Sequence, residues 1–164
     1  MATYTHFAKQ PDVLKHLILC EVLKNETPQI YVETNSACAI YPMTQTPEQQ
    51  YGIYHFLEKA DEVPSLKDSI YYQLESGEMA KGNYLGSPAL AMNVLGKQAK
   101  RFVFFDLEKS ALENVDTYAK QIELSASVEI HHADSSRGTI ELLPSLPASS
   151  FIHIDPYEID KKGD

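Results

Sequence analysis

Ser150-Phe151-Ile152-His153-Ile154-Asp155-Pro156-Tyr157-Glu158 is the stretch from which the rest of this chain is read. A short apolar, β-branched run ends in an acid, a proline and an aromatic ring. Continuous apolarity suits a strand covered on both faces, so the run reads as a buried parallel strand. Proline donates nothing to a ladder, so the strand is expected to stop at Asp155. A carboxylate and a ring then sit at a strand's carboxyl end, where open α/β sheets bind ligands. An acceptor beside a flat ring suits chemistry on the amino group of a planar base. On its own the motif reads more simply as a strand running into a turn, and the segments upstream decide between the two.

Those segments repeat the pattern. Gln29–Thr34 (QIYVET) reads as a first strand after the breaker Pro28, Arg101–Asp106 (RFVFFD) as a second, and Ser127–His131 (SVEIH) as a third leading into His132-Ala133-Asp134. Helical stretches lie between them. Pro11–Lys24 has proline at the first helical position and Asp12 at the positive end of the dipole. Pro47–Ala60 and Leu66–Leu74 are separated by Pro64, and Gly77–Gly86 reads as a connector. Ser87 reads as an N-cap, with Pro88 opening a helix to about Gly96. Lys109–Ile122 is amphipathic, and Ser135–Leu143 is bounded by Pro144. Alternating strands and helices predict an α/β fold with a doubly wound parallel sheet and right-handed crossovers. The expectation is a single domain over 1–164, with a helical insertion at about 45–85 between the first and second strands. Four strands make a small sheet whose last strand wants neighbours on both sides. Its open edge is therefore expected to be covered by self-association or by a partner.

Bulk composition narrows the function classes. The 164 residues suit one domain, and 43% apolar with 23% charged is ordinary for a globular chain. A net charge of −9 argues against a general nucleic-acid binder, whose affinity comes from neutralising phosphates. A local basic patch is still compatible with it. Cys20 falls in an apolar helical pattern and reads as core; Cys38 falls in a loop and reads as unreactive. Two cysteines make neither a disulfide framework nor a zinc pattern. The start, Met1–His6, lacks the apolar core of a signal peptide, and no apolar run reaches about 18 residues. A reducing, cytoplasmic setting and no membrane partner are expected.

Polar groups recur at the strand ends: Glu33-Thr34-Asn35, Asp106, Asp134 and Asp155. In a doubly wound sheet these lie along one edge. An acid after the second strand suits ribose hydroxyls, as in dinucleotide sites, and one after the third suits an adenine amino group. Neither G-x-G-x-x-G nor G-x-x-x-x-G-K-[ST] is present, so a phosphate-bearing cofactor is poorly supported. Adenosine without phosphates points to S-adenosylmethionine. A metal-dependent hydrolase is a weaker alternative: His131, His132, Asp134, His153 and Asp155 are ligand types, but their spacing matches no metal signature, and no metal is expected. His153, alternating with Phe151 and Asp155, reads as a satisfied buried histidine.

Taken together, these motifs resemble the bacterial 23S rRNA adenine-N6 methyltransferases. The family's Asp-Val-Leu-Lys-His signature stands as Asp12-Val13-Leu14-Lys15-His16, and its Gly-Ser-Pro as Gly86-Ser87-Pro88. Its acid after the second strand corresponds to Asp106, its Ala-Asp to Ala133-Asp134, and its Asp-Pro-Pro-Tyr-Glu to Asp155-Pro156-Tyr157-Glu158. The resemblance implies a Rossmann-like methyltransferase sheet, here cut short after the fourth strand, with S-adenosylmethionine as cofactor. It implies ribosomal RNA, unfolded or free of protein, as substrate. It assigns catalysis to Asp155, Pro156 and Tyr157, and cofactor binding to His16, Asn35, Ser87, Asp106, Asp134 and Asp155. Lys9 and Lys15 would meet RNA. Read from periodicity alone, Lys15 and His16 are as readily a solvated helix face.

Three departures stand out. The family's Asp-Thr-His-Ala-Gly-Ala-Gly loop is here Glu33-Thr34-Asn35-Ser36-Ala37-Cys38-Ala39, without either glycine, so a Cβ is expected to crowd the cofactor. One proline of the catalytic corner is missing. Family members continue with further strands, so the chain is expected to be a piece of a longer polypeptide or a shortened relative that assembles with another chain. A non-catalytic module with this fold, binding RNA or a protein, is the competing reading.

Overall fold

The structure is a computed structural model and describes residues 4–156. Tyr157 and Glu158 lie outside the described residues. Helix α1 (Gln10–Glu26) has Pro11 in its first turn, and Asp12 Oδ2 accepts from the Lys9 backbone N–H at 3.3 Å. It ends at Thr27, whose φ of 42° is the left-handed turn-out of a helix C-terminus. Strand β1 (Ile30–Glu33) follows, then β2 (Ile40–Pro42). The insertion holds α2 (Pro47–Gln49), a kink within Gln50–Tyr54 where Gly52 leaves helical geometry (φ −93°, ψ −109°), α3 (His55–Ala60), α4 (Pro64–Lys67) and α5 (Ile70–Met79). Then come β3 (Asn83–Leu85), α6 (Ser87–Leu95), β4 (Arg101–Asp106), α7 (Lys109–Gln121), β5 (Val128–His132), α8 (Ser135–Leu142) and β6 (Ser150–His153).

Strands β5, β4, β1 and β6 form one parallel sheet in that order. The chain steps outward from β1 through β4 to β5, then returns to the opposite side of β1 for β6. The two inner strands are the most apolar and the most buried, because helices cover both their faces. On one face Tyr31, Phe102 and Phe104 pack with α1, α6 and α7, and Phe151 stacks on Tyr31 at 6.0 Å and 6°. On the other, Val32, Val103 and Phe105 pack with Leu142, Leu146 and Ile152.

Several local expectations are corrected. Strand β6 stops at His153, short of Asp155, and its four residues are only half-buried. Among the described residues β6 has a single neighbour, β1, so it lacks the second flank its apolar run suggested. Gly86, not Ser87, is the N-cap of α6, and Ser87 is the first helical residue. The Ser87 hydroxyl donates to Glu33 and so is not spent on the helix's own amides. The Gly77–Gly86 connector holds the end of α5 and all of β3, which pairs antiparallel with β2, Ile40 opposite Leu85. Three-residue strands are too short for an alternation signal. Ser69 caps α5 through a bond from the Tyr72 N–H at 3.2 Å, which moves the start of the expected Leu66 helix to Ile70.

Gly138 in α8 lies directly over β4: a Cβ there would come within 2.4 Å of a Phe105 ring carbon. We expect Gly138→Ala to destabilise the fold by about 1–3 kcal/mol through overpacking, despite alanine's better helix propensity. Urea denaturation monitored by circular dichroism measures this; an unchanged midpoint would show that α8 rides loosely on the sheet.

Candidate functional site

Strand order reverses between β1 and β6, and open sheets leave a crevice at such a point, outside the strands' carboxyl ends. A cleft of about 260 Å³ opens there. Its floor is Asn35, Ser36 and Ala37 after β1, Gly86 and Ser87 at the head of α6, and Asp155 and Pro156 after β6. Lys9, Lys15 and His16 at the start of α1 form one wall, and Tyr4, His6 and Phe7 lie across the top. Asn35–Ala37 and Asp155-Pro156 meet because parallel pairing aligns the ends of β1 and β6, and Gly86-Ser87 is brought beside them by the antiparallel β2–β3 pair and the bond from the Gly86 amide to Ala39.

The loop after β1 is held rigidly. The Ser36 N–H donates to the Phe105 carbonyl at 3.0 Å and the Ala37 N–H to Asp106 Oδ2 at 2.8 Å. Asn114 Oδ1 accepts from both Ala39 and Ile40 at 2.9 and 3.1 Å. Ala37, where the resembled family has glycine, sits at φ 49° with its Cβ in place. The loss of glycine is thus accommodated in the left-handed region, at a conformational cost of about 1–2 kcal/mol. Gly86 keeps its glycine for a visible reason: its amide donates to the Ala39 carbonyl at 2.8 Å, and a Cβ would strike the Cys38 carbonyl oxygen at 2.1 Å. Burial pushes the Cys38 thiol up to about 11, which keeps it protonated and inert.

Buried polar groups lie beneath the cleft. Glu33 is wholly buried, Ser87 Oγ donates to its Oε1, and the Tyr31 hydroxyl donates to its Oε2 at 2.9 Å. Burial outweighs both bonds and raises its carboxyl to about 8, with the nearby Asp155 and Asp106 pushing the same way. His16 Nδ1 meets the Tyr84 hydroxyl at 2.9 Å, and Tyr84 approaches the Tyr71 hydroxyl at 3.4 Å. Burial, helped by the Lys15 ammonium, lowers His16 to about 3, so it is neutral at pH 7. His153 differs from its expectation: its Nε2 is buried and has no hydrogen-bond partner among the described residues. Burial lowers its basicity too.

The charged groups divide into those the cleft gathers and those it does not. Asp155 Oδ2 accepts from Lys15 Nζ at 2.5 Å, and Lys15 also lies 3.6 Å from Asp12. Asp106, buried at the end of β4, accepts three bonds from the chain itself: the Tyr4 hydroxyl at 2.9 Å and the Glu108 N–H at 2.8 Å on Oδ1, and Ala37 on Oδ2. It stands behind the floor and does not line the cleft. Asp134 is exposed and caps α8, its Oδ1 accepting from the Arg137 N–H at 3.1 Å. It follows β5, two strands from β1, and each strand adds about 4.8 Å. That spacing is why it does not reach the cleft. Tyr157 lies outside the described residues. Among the described residues no three His, Cys, Asp or Glu side chains gather as a metal site; His132 instead meets the Leu107 carbonyl at 2.8 Å.

Sequence reasoning missed Tyr4, His6, Phe7, Tyr41 and Tyr84. Phe7 stacks on Tyr41 at 4.5 Å and 20°, and His6 meets Glu48 of the insertion at 3.1 Å. The available signal was the aromatic cluster Tyr4-Thr5-His6-Phe7 immediately before a proline-started helix.

No family model matches the sequence, and no curated protein matches it. The fold is similar to the crystal structure of protein LPL1258 from Legionella pneumophila strain Philadelphia 1, described under the family model DUF519. The TM-score is 0.76 at 27% sequence identity, covering 94% of this chain and 59% of that one. This chain therefore spans less than two-thirds of that protein's length. Among the described residues no helix is long and apolar enough to cross a membrane.

Two predictions follow from the site's physics. Restoring glycine with Ala37→Gly should raise stability by about 0.5–1 kcal/mol, because relief of the positive φ exceeds glycine's entropic cost. A lower urea midpoint would show that the Ala37 methyl is needed for packing. Stability should also fall as pH rises from 7 to 8. Folded Glu33 keeps a proton up to about 8 that the unfolded chain loses near 4.5, and the state binding more protons is disfavoured as pH rises. His16 and His153, both lowered in the folded chain, oppose this mainly below pH 7, where their unfolded forms still bind protons. Glu33→Gln should remove the slope, as read by urea denaturation at a series of pH values; an equal slope in the variant would assign it elsewhere.

Proposed function

We propose that this cleft is an S-adenosylmethionine-dependent methyltransferase site acting on the N6 amino group of an adenine in ribosomal RNA. The observation that carries the reading is the meeting of three motifs at the strand-order reversal: Asn35–Ala37, Gly86-Ser87 and Asp155-Pro156. Gly86-Ser87 and Asp155-Pro156 are segments by which the sequence resembles that enzyme family, and Asn35–Ala37 stands where the family has its glycine-containing loop. The similarity to the Legionella protein supports the fold on which the reading rests.

The residues present fit the cofactor at one end and constrain it at the other. Asn35 and the start of α6 offer a polar floor, and a helix N-terminus favours a carboxylate. His16 offers an uncharged wall. On the ribose side Asp106 already holds three bonds of about four it accepts, so a ribose hydroxyl would take the remaining acceptor position or displace the Tyr4 hydroxyl. Asp134 would serve the adenine only from outside the cleft wall. When bound, S-adenosylmethionine supplies an activated sulfonium methyl.

The chain's own part is positioning and charge stabilisation. An exocyclic adenine amine is a weak nucleophile because its lone pair is shared with the ring. Asp155 and the Pro156 carbonyl would accept its two hydrogens and favour a pyramidal nitrogen, with acceptors set in advance for the developing charge. Lys15 holds the Asp155 carboxylate in place through its ammonium, so as an RNA contact it would first have to leave that pair. Lys9, half-buried at the mouth, is the better placed of the two for a phosphate. Tyr157 would stack on a base taken out of its helix.

A binding module without turnover is the second reading. It is favoured by the same engaged carboxylates, since Asp155 and Asp106 are both bonded within the chain. Asp155→Ala separates the two. In the enzyme, methyl transfer from labelled cofactor to unmodified ribosomal RNA should fall by about 100-fold or more, near the scale of one lost transition-state acceptor. Binding of S-adenosylhomocysteine by calorimetry should persist. Equal transfer by the variant would overturn the catalytic assignment, and cofactor binding without any transfer by the unaltered chain would establish the module.

A further inference from the structure

A row of polar side chains runs from the cleft wall into the core. His16 of α1 lines the cleft, and its Nδ1 meets the Tyr84 hydroxyl of β3 at 2.9 Å. Tyr84 lies 3.4 Å from the Tyr71 hydroxyl of α5. Both tyrosines are fully buried. Their rings are held by other rings: Tyr84 lies 6.1 Å from Phe7 and 6.4 Å from Tyr41, and Tyr71 lies 5.3 Å from Phe56. Among the described residues neither hydroxyl has a further hydrogen-bond partner, and His16 Nε2 has none. Glu75 of α5 accepts from the Leu85 N–H at 3.2 Å and bonds to neither hydroxyl.

Counting hydrogens along this row decides their direction. Burial keeps the imidazole neutral at pH 7, so one of its two nitrogens carries a hydrogen. In one order Tyr71 donates to Tyr84, Tyr84 donates to His16 Nδ1, and the ring's own hydrogen sits on Nε2. Each hydroxyl hydrogen then has an acceptor. With the hydrogen on Nδ1 instead, either Tyr84 or Tyr71 keeps a hydrogen that reaches no acceptor in a dry interior, which is costly. The bare imidazole nitrogen is also a better acceptor than a phenol oxygen, whose lone pair is shared with its ring.

We infer that Tyr84, backed by Tyr71, is a positioning residue that fixes His16 as the Nε2–H tautomer, so that the cleft wall presents a neutral donor to an accepting oxygen of the ligand. The inference rests on the reading of the cleft as a site for S-adenosylmethionine. It adds to that reading the atom by which His16 takes part and the two residues that set it, neither of which the resemblance names. Tyr84 is two residues before Gly86-Ser87, and His16 lines the same cleft as the head of α6. The cofactor's carboxylate is the acceptor that suits both a helix N-terminus and an uncharged N–H donor.

Long-range proton–nitrogen correlation spectra of the nitrogen-15-labelled full chain at pH 7 read the tautomer of each of its six histidines. The spectrum of His16→Gln identifies the signals of His16 by their loss. On the unaltered chain His16 should carry its hydrogen on Nε2, with a bare, hydrogen-bonded Nδ1. Adding S-adenosylhomocysteine should shift the Nε2–H signal and leave Nδ1 nearly in place. Tyr84→Phe should move Nδ1 away from its hydrogen-bonded position. It should also weaken S-adenosylhomocysteine binding, read by calorimetry, about threefold to tenfold, the scale of one positioned hydrogen bond. A role in packing alone would lower the melting temperature and move neither nitrogen. The spectra of the unaltered chain carry the test even where the variant does not fold. Hydrogen on Nδ1, a charged ring or an even mixture of tautomers overturns this inference alone. So does bound S-adenosylhomocysteine that leaves the Nε2–H signal unmoved, or a folded Tyr84→Phe protein that binds it as tightly. Failure of the unaltered chain to bind S-adenosylmethionine or S-adenosylhomocysteine overturns the reading of the cleft, and the donor's role with it, whereas the tautomer is read without either ligand.

Discussion

Parallel pairing on both sides of β1 is the constraint on which the molecule depends. β1 is paired with β4, reached first along the chain, and with β6, reached last. Because all three run the same way, the segments leaving them emerge on one side of the sheet. The reversal of strand order between β1 and β6 leaves a gap there that no crossover helix fills. The loop 34–39, the head of α6 and the corner at Asp155 enter that gap from three directions. Had β6 added beside β5, Asp155 would lie far from Asn35 and the cleft would lack the Asp155-Pro156 part of its floor.

The burial that builds the core also sets the chemistry of the cleft. Glu33 and His16 lie against it without being solvated, and each is held in its neutral form near pH 7 by the same cause, with opposite consequences for its proton. The chain meets the polar demand of this region with its own hydroxyls: Tyr31 and Ser87 for Glu33, Tyr84 and then Tyr71 for His16. Such networks fix side-chain positions because each unmade bond in a dry interior is expensive. His153 Nε2 is the group this scheme leaves without a partner, next to the pairing of Lys15 with Asp155.

The altered loop has a definite structural solution. Ala37 takes the left-handed backbone that glycine would hold without cost, while four amides around it, on Ser36, Ala37, Ala39 and Ile40, are tied to β4 and α7. Strain at one residue is tolerated where several bonds over-determine the path. The Ala37 Cβ is thus accommodated within the chain's own fold, and the close approach of α6 to the loop is preserved by Gly86.

Much of the architecture was legible in residue patterns. RFVFFD reads as a doubly covered strand because six apolar-rich residues ending in an acid have few other homes. The proline-led starts of α1 and α6 place those helices to within a residue or two. The acids at strand ends were legible as a set. Which of them share a cleft was not, because strand order is a property of the sheet: Asp134 and Asp155 look equivalent along the chain, yet one follows the outer strand β5 and the other adjoins the reversal. The roof of Tyr4 and Phe7, the β2–β3 pair and the turn of Ser87 towards Glu33 likewise depend on neighbours 34 to 102 residues away. Local sequence determined which segments are strands and helices, since backbone preference and side-chain periodicity act over a few residues. Tertiary packing alone decided which carboxyls face water, which face one another and which must hold a proton, because those outcomes depend on what the fold brings alongside.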